Sequence, residues 1–382
     1  MALAAASAIW LPSVHLLYTG GAGPVLHPQA LSPKARGLTR RQLHIWATPV
    51  ADADAVSMRA TNAEWDFMAR SFAVWSLANA ALRDPAIKPA ALETMDRIID
   101  DTLRLEAERG MYYFLMPYAR SRPFVMQPAR SLFLDGEIAL MLAARRTVAE
   151  RPEYRPLLTR RVNVMVERMR QGPVLSAESY PDECWTFCNT IALAAIRSAD
   201  FLDGTDHSDF LRRWVRMARE KLLDPKTGLL VSSYSLAGTP MDGPEGSSLW
   251  MAIHCLDLID QRFAAQQYQR AKEQLGGSLL GFGYAREWPR SRTGPMDVDS
   301  GPVVPVLGAS PSSSGLALVA AASQADRPFY ASLTGSLELV GFPRSRQGRL
   351  RYCAANQLGE AVVLYSTVQG PLWNRIKKGS RP

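Results

Sequence analysis

Cysteine is scarce. Four thiols in 382 residues cannot staple a fold, so a disulfide-built module is excluded. The short catalytic signatures are missing too. The chain contains no GxGxxG, no P-loop, no GxSxG and no HExxH, which withdraws the usual support for nucleotide, acyl-serine and zincin chemistry. There is no C-x2-C pair either. A closed zinc site at Cys184 and Cys188 would need two more ligands from His254, Cys255 or Cys353, so no metal is expected. Acidic residues are absent from 1–50 and from 371–382, and residues 2–26 carry no charge of either sign.

That distribution locates the net charge of +8. Lys34, Arg36, Arg40 and Arg41 lie near one end, Arg375, Lys377, Lys378 and Arg381 near the other, and the stretch 51–370 is neutral. A nucleic-acid binder carries its surplus on the folded domain, so no nucleic-acid partner is expected. The mostly apolar run Ala2–Tyr18 is broken by Pro12, Ser13 and His15. It reads as a signal peptide or short membrane anchor, with a buried N-terminal segment of a soluble protein as the alternative. Membrane attachment through 1–20 is therefore expected, in the periplasm or at the cell membrane, against a cytoplasmic alternative. Pro24, Pro28 and Pro33 mark Gly20–Arg41 as a linker. The expected division is an N-terminal segment and linker over 1–41, a single domain over 42–372 and a basic tail over 373–382.

What the chain does have is helical periodicity. Met68, Phe72, Trp75, Ala78 and Leu82 recur at three- and four-residue steps behind Asn62, a candidate N-cap. Similar patterns predict helices over 90–108, 131–150, 155–170, 186–202, 209–223, 246–262, 264–275, 313–324, 328–338 and 357–370. Strand signals are confined to 228–234 and 349–353. Eleven or so paired helices predict an all-α protein, an (α/α)6 toroid with a few short strands and a central pocket. An α-solenoid is the competing layout, without a fixed repeat to support it. The long polar, Gly/Pro/aromatic connections 110–130, 172–185, 235–248 and 281–314 should line the mouth of such a ring.

Four constellations could carry chemistry. In 179–189, SYPDECWTFCN, Ser179, Tyr180 and Trp185 surround Asp182, a candidate N-cap whose ionised form a helix dipole would favour. Cys184 and Cys188 are expected one turn apart on the helix that follows, as free thiols. In 295–310, Asp297 and Asp299 could supply a general acid and base, or cap the loop by Asx turns. Glu137 enters an apolar helix, where burial would raise its pKa and make it a proton donor, unless it only serves the helix dipole. Glu245 stands at another helix start with Ser248 and Trp250. Aromatic residues crowd the same loops, as in a small-molecule pocket.

These residues resemble the linalool dehydratase-isomerase family. The resemblance is clearest over 179–234, in Pro181-Asp182, Cys188-Asn189, Leu202-Asp203-Gly204-Thr205-Asp206, Leu223-Asp224-Pro225, Gly228 and Ser233-Tyr234. It runs more weakly through Ser248–Trp250 and 297–318 to Leu350-Arg351-Tyr352, with Glu137–Ala144 where the family has a central helix. The resemblance implies an α/α toroid and cofactor-independent chemistry. It places Cys188 on one of two active-site cysteines, the other falling at or beside Ser179, and Glu137 on the active-site histidine. The family's Asp and Tyr supplied by a neighbouring subunit have no counterpart in 42–62; a homo-oligomer is compatible with the resemblance.

The leading expectation is therefore a lyase or isomerase that dehydrates, hydrates or isomerises a small, largely apolar alcohol by side-chain acid–base catalysis. Glu137, Asp182, Cys188 and Tyr180 are the candidate catalytic residues. Trp185, Ser179, Glu245, Trp250, Asp297, Asp299 and Tyr352 are candidate substrate contacts. A carbohydrate-active hydrolase or lyase would instead draw a carboxylate pair from Glu137, Asp182, Asp297 and Asp299. The third option is a non-catalytic ligand-binding protein.

Overall fold

The computed structural model describes residues 1–18, 30–47, 50–292 and 300–379. Among these are fifteen α-helices and seven short strands. Three helices come first: α1 (Ala2–Trp10), α2 (Pro33–Trp46) and α3 (Val50–Thr61). Then α4 (Ala63–Arg83), α6 (Leu132–Val148), α8 (Thr186–Asp203), α10 (Gly246–Ile259), α12 (Pro311–Ser323) and α14 (Gln357–Val368) alternate with α5 (Lys88–Arg109), α7 (Tyr154–Gln171), α9 (Ser208–Lys221), α11 (Gln261–Leu275) and α13 (Arg327–Val340); α15 is Pro371–Lys378.

The even-numbered helices from α4 to α14 form a closed ring. Each packs on the next, and α14 packs back on α4. Their sequences explain the position. Every residue of α6 is buried: most are apolar, and Asp135, Arg145 and Arg146 are covered as members of ion pairs. By contrast α9 buries one stripe, Phe210, Leu211, Trp214, Val215 and Ala218, and turns its arginines to water. Helices α5, α7, α11 and α13 lie outside the ring against their neighbours, and α2 packs on α14. The toroid expected from periodicity is the fold observed.

Side-chain caps set the helix starts. Asn62 accepts from the Glu64 N–H at 2.8 Å, Ser310 from that of Ser313 at 3.1 Å and Asn356 from that of Gly359 at 2.8 Å. Gly204, at φ 73°, ends α8 in the left-handed region.

All eleven predicted ring helices are present, but the ends differ from expectation. The linker boundary at 41 falls inside α2. Ser32 caps that helix, Pro33 starts it, and Leu38, Thr39, Gln42 and Ile45 are buried, so an N-terminal helix takes the outer place beside α14. The basic tail is likewise helical. Leu372, Trp373 and Ile376 of α15 are buried, while Arg375 donates to Thr147 O at 2.8 Å and Lys377 pairs with Asp257 at 2.6 Å. The strands β1 (Cys184–Trp185), β2 (Ser233–Tyr234) and β3 (Pro240–Asp242) form one antiparallel sheet. Two hairpins follow, β4 (Gly276–Leu279) with β5 (Phe282–Ala285) and β6 (Pro343–Arg346) with β7 (Arg349–Tyr352). No described helix is long and apolar enough to cross a membrane.

Each hairpin of helices returns through the outer layer, so the six inner helices run in one direction and their N-termini share one end of the ring. The connections at the other end are short: 84–87, 149–153, 204–207, 260 and 324–326. Those at the N-terminal end are long: 110–131, 172–185, 222–245, 276–310 and 341–356. The loops expected to line a mouth thus all lie at the same end.

Candidate active site

Glu137 lies in the second turn of α6 and is fully buried. Neither carboxyl oxygen has a hydrogen-bond partner. Burial pushes its pKa from 4.5 up to about 8; the nearby Ser71 hydroxyl on α4, whose own proton is given to Phe67 O at 3.2 Å, pulls it partly back, and the Glu64 carboxylate adds to the rise. The backbone explains how the acid comes so close to α8. A Cβ on the preceding Gly136 would lie 3.2 Å from the Ala192 N, so glycine lets α6 and α8 approach closely.

On the adjoining segment the Glu137 charge acts on Cys188, which Ser179 adjoins in turn. Cys188, in the first turn of α8, is raised well above its ordinary value by burial; Ser179 offsets part of this, and Glu64 and Glu137 add to it. Its thiol is therefore neutral. Ser179 is fully buried and its hydroxyl has no hydrogen-bond partner, although its carbonyl accepts from Ser131 Oγ at 2.7 Å. Cys255 on α10 also feels the Glu137 charge, after the larger effect of burial.

Tyr180 closes this cluster toward α4. Its hydroxyl donates a short hydrogen bond to Glu64 and accepts from the Met116 N–H at 2.9 Å. Its ring stacks on Tyr118 at 4.5 Å. Burial, followed by Glu64, raises its pKa, so it stays a neutral donor. The loop beneath is held by Glu178, whose carboxylate accepts from Val125 N, Met126 N and Asp182 N at 2.7–2.8 Å.

The other expected residues are placed elsewhere. Asp182 does not cap a helix; Trp185 occupies that position. Asp182 sits at φ 52° in the tight turn between Tyr180 and Glu183, and its carboxylate accepts from Leu236 N at 3.1 Å. The carboxylates that act on both Glu137 and Cys188 include Glu64 and not Asp182. Cys184 belongs to β1 rather than to the helix of Cys188, because the chain stays extended until Thr186; all four cysteines are free. Trp185 is half-buried and donates to Glu183 at 3.4 Å. Glu245 is the N-cap residue of α10, its N–H donating to Ser232 Oγ at 2.8 Å. Trp250 is core: it donates to Ser313 Oγ at 3.0 Å and packs edge-on against Tyr268 of the outer layer. Tyr352 lies on β7 in a separate buried cluster with Leu38 and Leu364, bonded to Glu338 at 2.6 Å. Asp297 and Asp299 fall outside the described residues.

Glu64 was not among the expected site residues. Two residues behind an N-cap, it has the sequence signature of an ordinary helix-dipole acid. Only the packing of α4 beside the 179–180 loop reveals it.

Residues 148–289 match the family model described as linalool dehydratase/isomerase. The match spans Ser179, Tyr180 and Cys188 and begins after Glu137. It supports an enzyme of lyase or isomerase type. No curated protein matches the chain. Among solved structures the chain is similar to a selenomethionine derivative of the GH76 alpha-mannanase of Bacteroides thetaiotaomicron. The identity is 12%, the TM-score 0.48, and the match covers 81% of this chain and 87% of that one. The toroid described above rests on the helix packing itself.

Proposed function

We propose that the protein is a cofactor-independent lyase or isomerase that acts on a small, largely apolar alcohol, with Glu137 as the proton donor. The observation that carries this reading is a fully buried carboxyl with both oxygens unbonded, beside an unbonded buried hydroxyl and a neutral thiol. A buried polar group without partners destabilises a fold, so such a cluster implies groups held for a ligand.

With a pKa of about 8, Glu137 is mostly protonated at neutral pH. It can give its proton to a substrate hydroxyl as the C–O bond breaks, releasing water. A base must then take a proton from the neighbouring carbon so that the electron pair of that C–H bond forms the alkene. Glu64, positioned by Tyr180, is the carboxylate nearest in effect to both Glu137 and Cys188. Ser179 would orient the hydroxyl. Cys188, neutral, serves as a wall and weak donor rather than as a thiolate nucleophile. Run backward, the same groups hydrate an alkene.

The test is turnover on a panel of small allylic alcohols, with oligosaccharides alongside. Glu137→Gln should lower the rate about 10²–10⁴-fold. Turnover of oligosaccharides but not alcohols, or an unchanged rate in Glu137→Gln, would overturn the reading.

A further inference from the structure

A second feature surrounds the same end of the ring. Helix α1 is ALAAASAIW, uncharged throughout, yet none of its residues is buried. A helix apolar on all sides requires an apolar partner. Among the described residues its main packing is on the 3-10 segment Leu11–Leu17 that follows it. That segment in turn lies on α13, with His15 against the β4–β5 turn: the His15 and Phe282 rings are 6.2 Å apart. Beside these, Leu279 and Leu280 at the turn are 52% and 46% exposed, and Val340 at the end of α13 and Phe342 after it are 59% and 66% exposed.

The adjoining hairpin β6–β7 is basic. Arg344, Arg346 and Arg349 meet no carboxylate among the described residues. A groove of about 480 Å³ runs between this hairpin and α2, lined in part by Lys34, Arg36, Arg40, Ser345 and Gly348. Exposed apolar side chains beside a basic hairpin match an acyl layer beneath anionic headgroups. A second copy of this face would set arginine against arginine, which argues against self-association.

We propose that this face docks onto the surface of an anionic lipid bilayer, with α1 and the two apolar tips in the interface and the β6–β7 arginines on lipid phosphates. The nine residues of α1 span about 14 Å, too short to cross and long enough to lie in the headgroup region. Trp10, 69% exposed, is suited to that depth. The face adjoins the end of the ring that carries the long loops. If the reading of the site given above holds, an apolar substrate would reach it from the lipid side, but the docking surface can be tested without any turnover.

The experiment is flotation of the full chain with vesicles of phosphatidylcholine alone or with about one-third phosphatidylserine. The chain should float with the anionic vesicles and be released by high salt. Combining Arg344→Ala, Arg346→Ala and Arg349→Ala should weaken partitioning about 100-fold, with unchanged circular dichroism, because Arg344 and Arg346 are exposed and Arg349 is only half-buried. Phe342→Ser with Trp10→Ser should weaken binding to both vesicle types. A chain that stays unbound overturns the proposal, as does binding indifferent to these variants. A discrete oligomer dissolved by Trp10→Ser would also overturn it, assigning the face to a second copy.

Discussion

Replacing Glu137 by glutamine tests the physics of the site without a substrate. In the unfolded chain this carboxyl titrates near 4.5; in the fold it titrates near 8. Between those values the folded state holds a proton that the unfolded state has released, so raising the pH favours unfolding. Below about pH 4.5 the group carries no penalty. The penalty then grows by about 1.4 kcal/mol per pH unit and levels off above pH 8. The whole gap from 4.5 to about 8 corresponds to about 5 kcal/mol, of which about 3 kcal/mol is present at pH 7. Glutamine occupies nearly the same volume and does not titrate. The difference in unfolding free energy between Glu137→Gln and the parent should therefore widen in favour of the variant as pH rises. Urea unfolding of both proteins between about pH 5 and about pH 9 measures it. Any fixed offset from altered packing cancels, because the slope is the observable. Parallel curves would refute the reasoning, showing that Glu137 titrates like an exposed acid.

Two other substitutions probe the surroundings. Tyr180→Phe keeps the stack on Tyr118 but strands the Met116 N–H and removes the donor to Glu64, so stability should fall by about 1–3 kcal/mol, read by urea unfolding. His254→Gln addresses the opposite end of the ring. Burial, with Lys377 second, lowers the pKa of His254 from 6.5 to about 3, so the parent should lose stability as pH falls below about 6.5. The variant should lack that slope between about pH 6.5 and about pH 4.5, whatever its absolute stability.

The ring was legible because its helices carry the signal that folding itself uses. Positions 68, 72, 75, 78 and 82 repeat at helical spacing, and Ile138–Ala144 is an unbroken apolar run that demands burial on all sides. The helix Pro33–Trp46 was hidden by composition. Its single proline and four basic residues read as linker, yet its buried face is built partly from Gly37, Thr39 and Gln42, which carry no apolar pattern. The site was half legible. Glu137, Ser179 and Cys188 stand out in the local sequence and in the resemblance, and in the fold the Glu137 charge acts on Cys188, with Ser179 beside that thiol. Asp182 looked chemical by its neighbours, but a left-handed turn turns its carboxylate onto Leu236 N. Nothing in the local sequence of Glu64 distinguishes it from a dipole acid; its role depends on a contact 116 residues away.

The two ends of the ring handle buried polar groups in opposite ways, and the contrast is what gives the mouth its meaning. At the short-loop end His254 is fully buried, but both ring nitrogens are bonded, Nδ1 with Ser323 Oγ at 2.5 Å and Nε2 with Tyr365 OH at 2.7 Å, and the ring stacks on Trp373 at 4.9 Å. That is how a fold treats a polar side chain kept for structure. At the long-loop end Glu137 and Ser179 are buried as deeply, and neither the Glu137 carboxyl oxygens nor the Ser179 hydroxyl has a hydrogen-bond partner. The same core that satisfies His254 on both sides leaves a carboxyl and a hydroxyl open here. That deficit lies where the N-termini of six inner helices point and where the long loops gather, so a ligand supplying a hydroxyl would complete there the bonding that the chain does not.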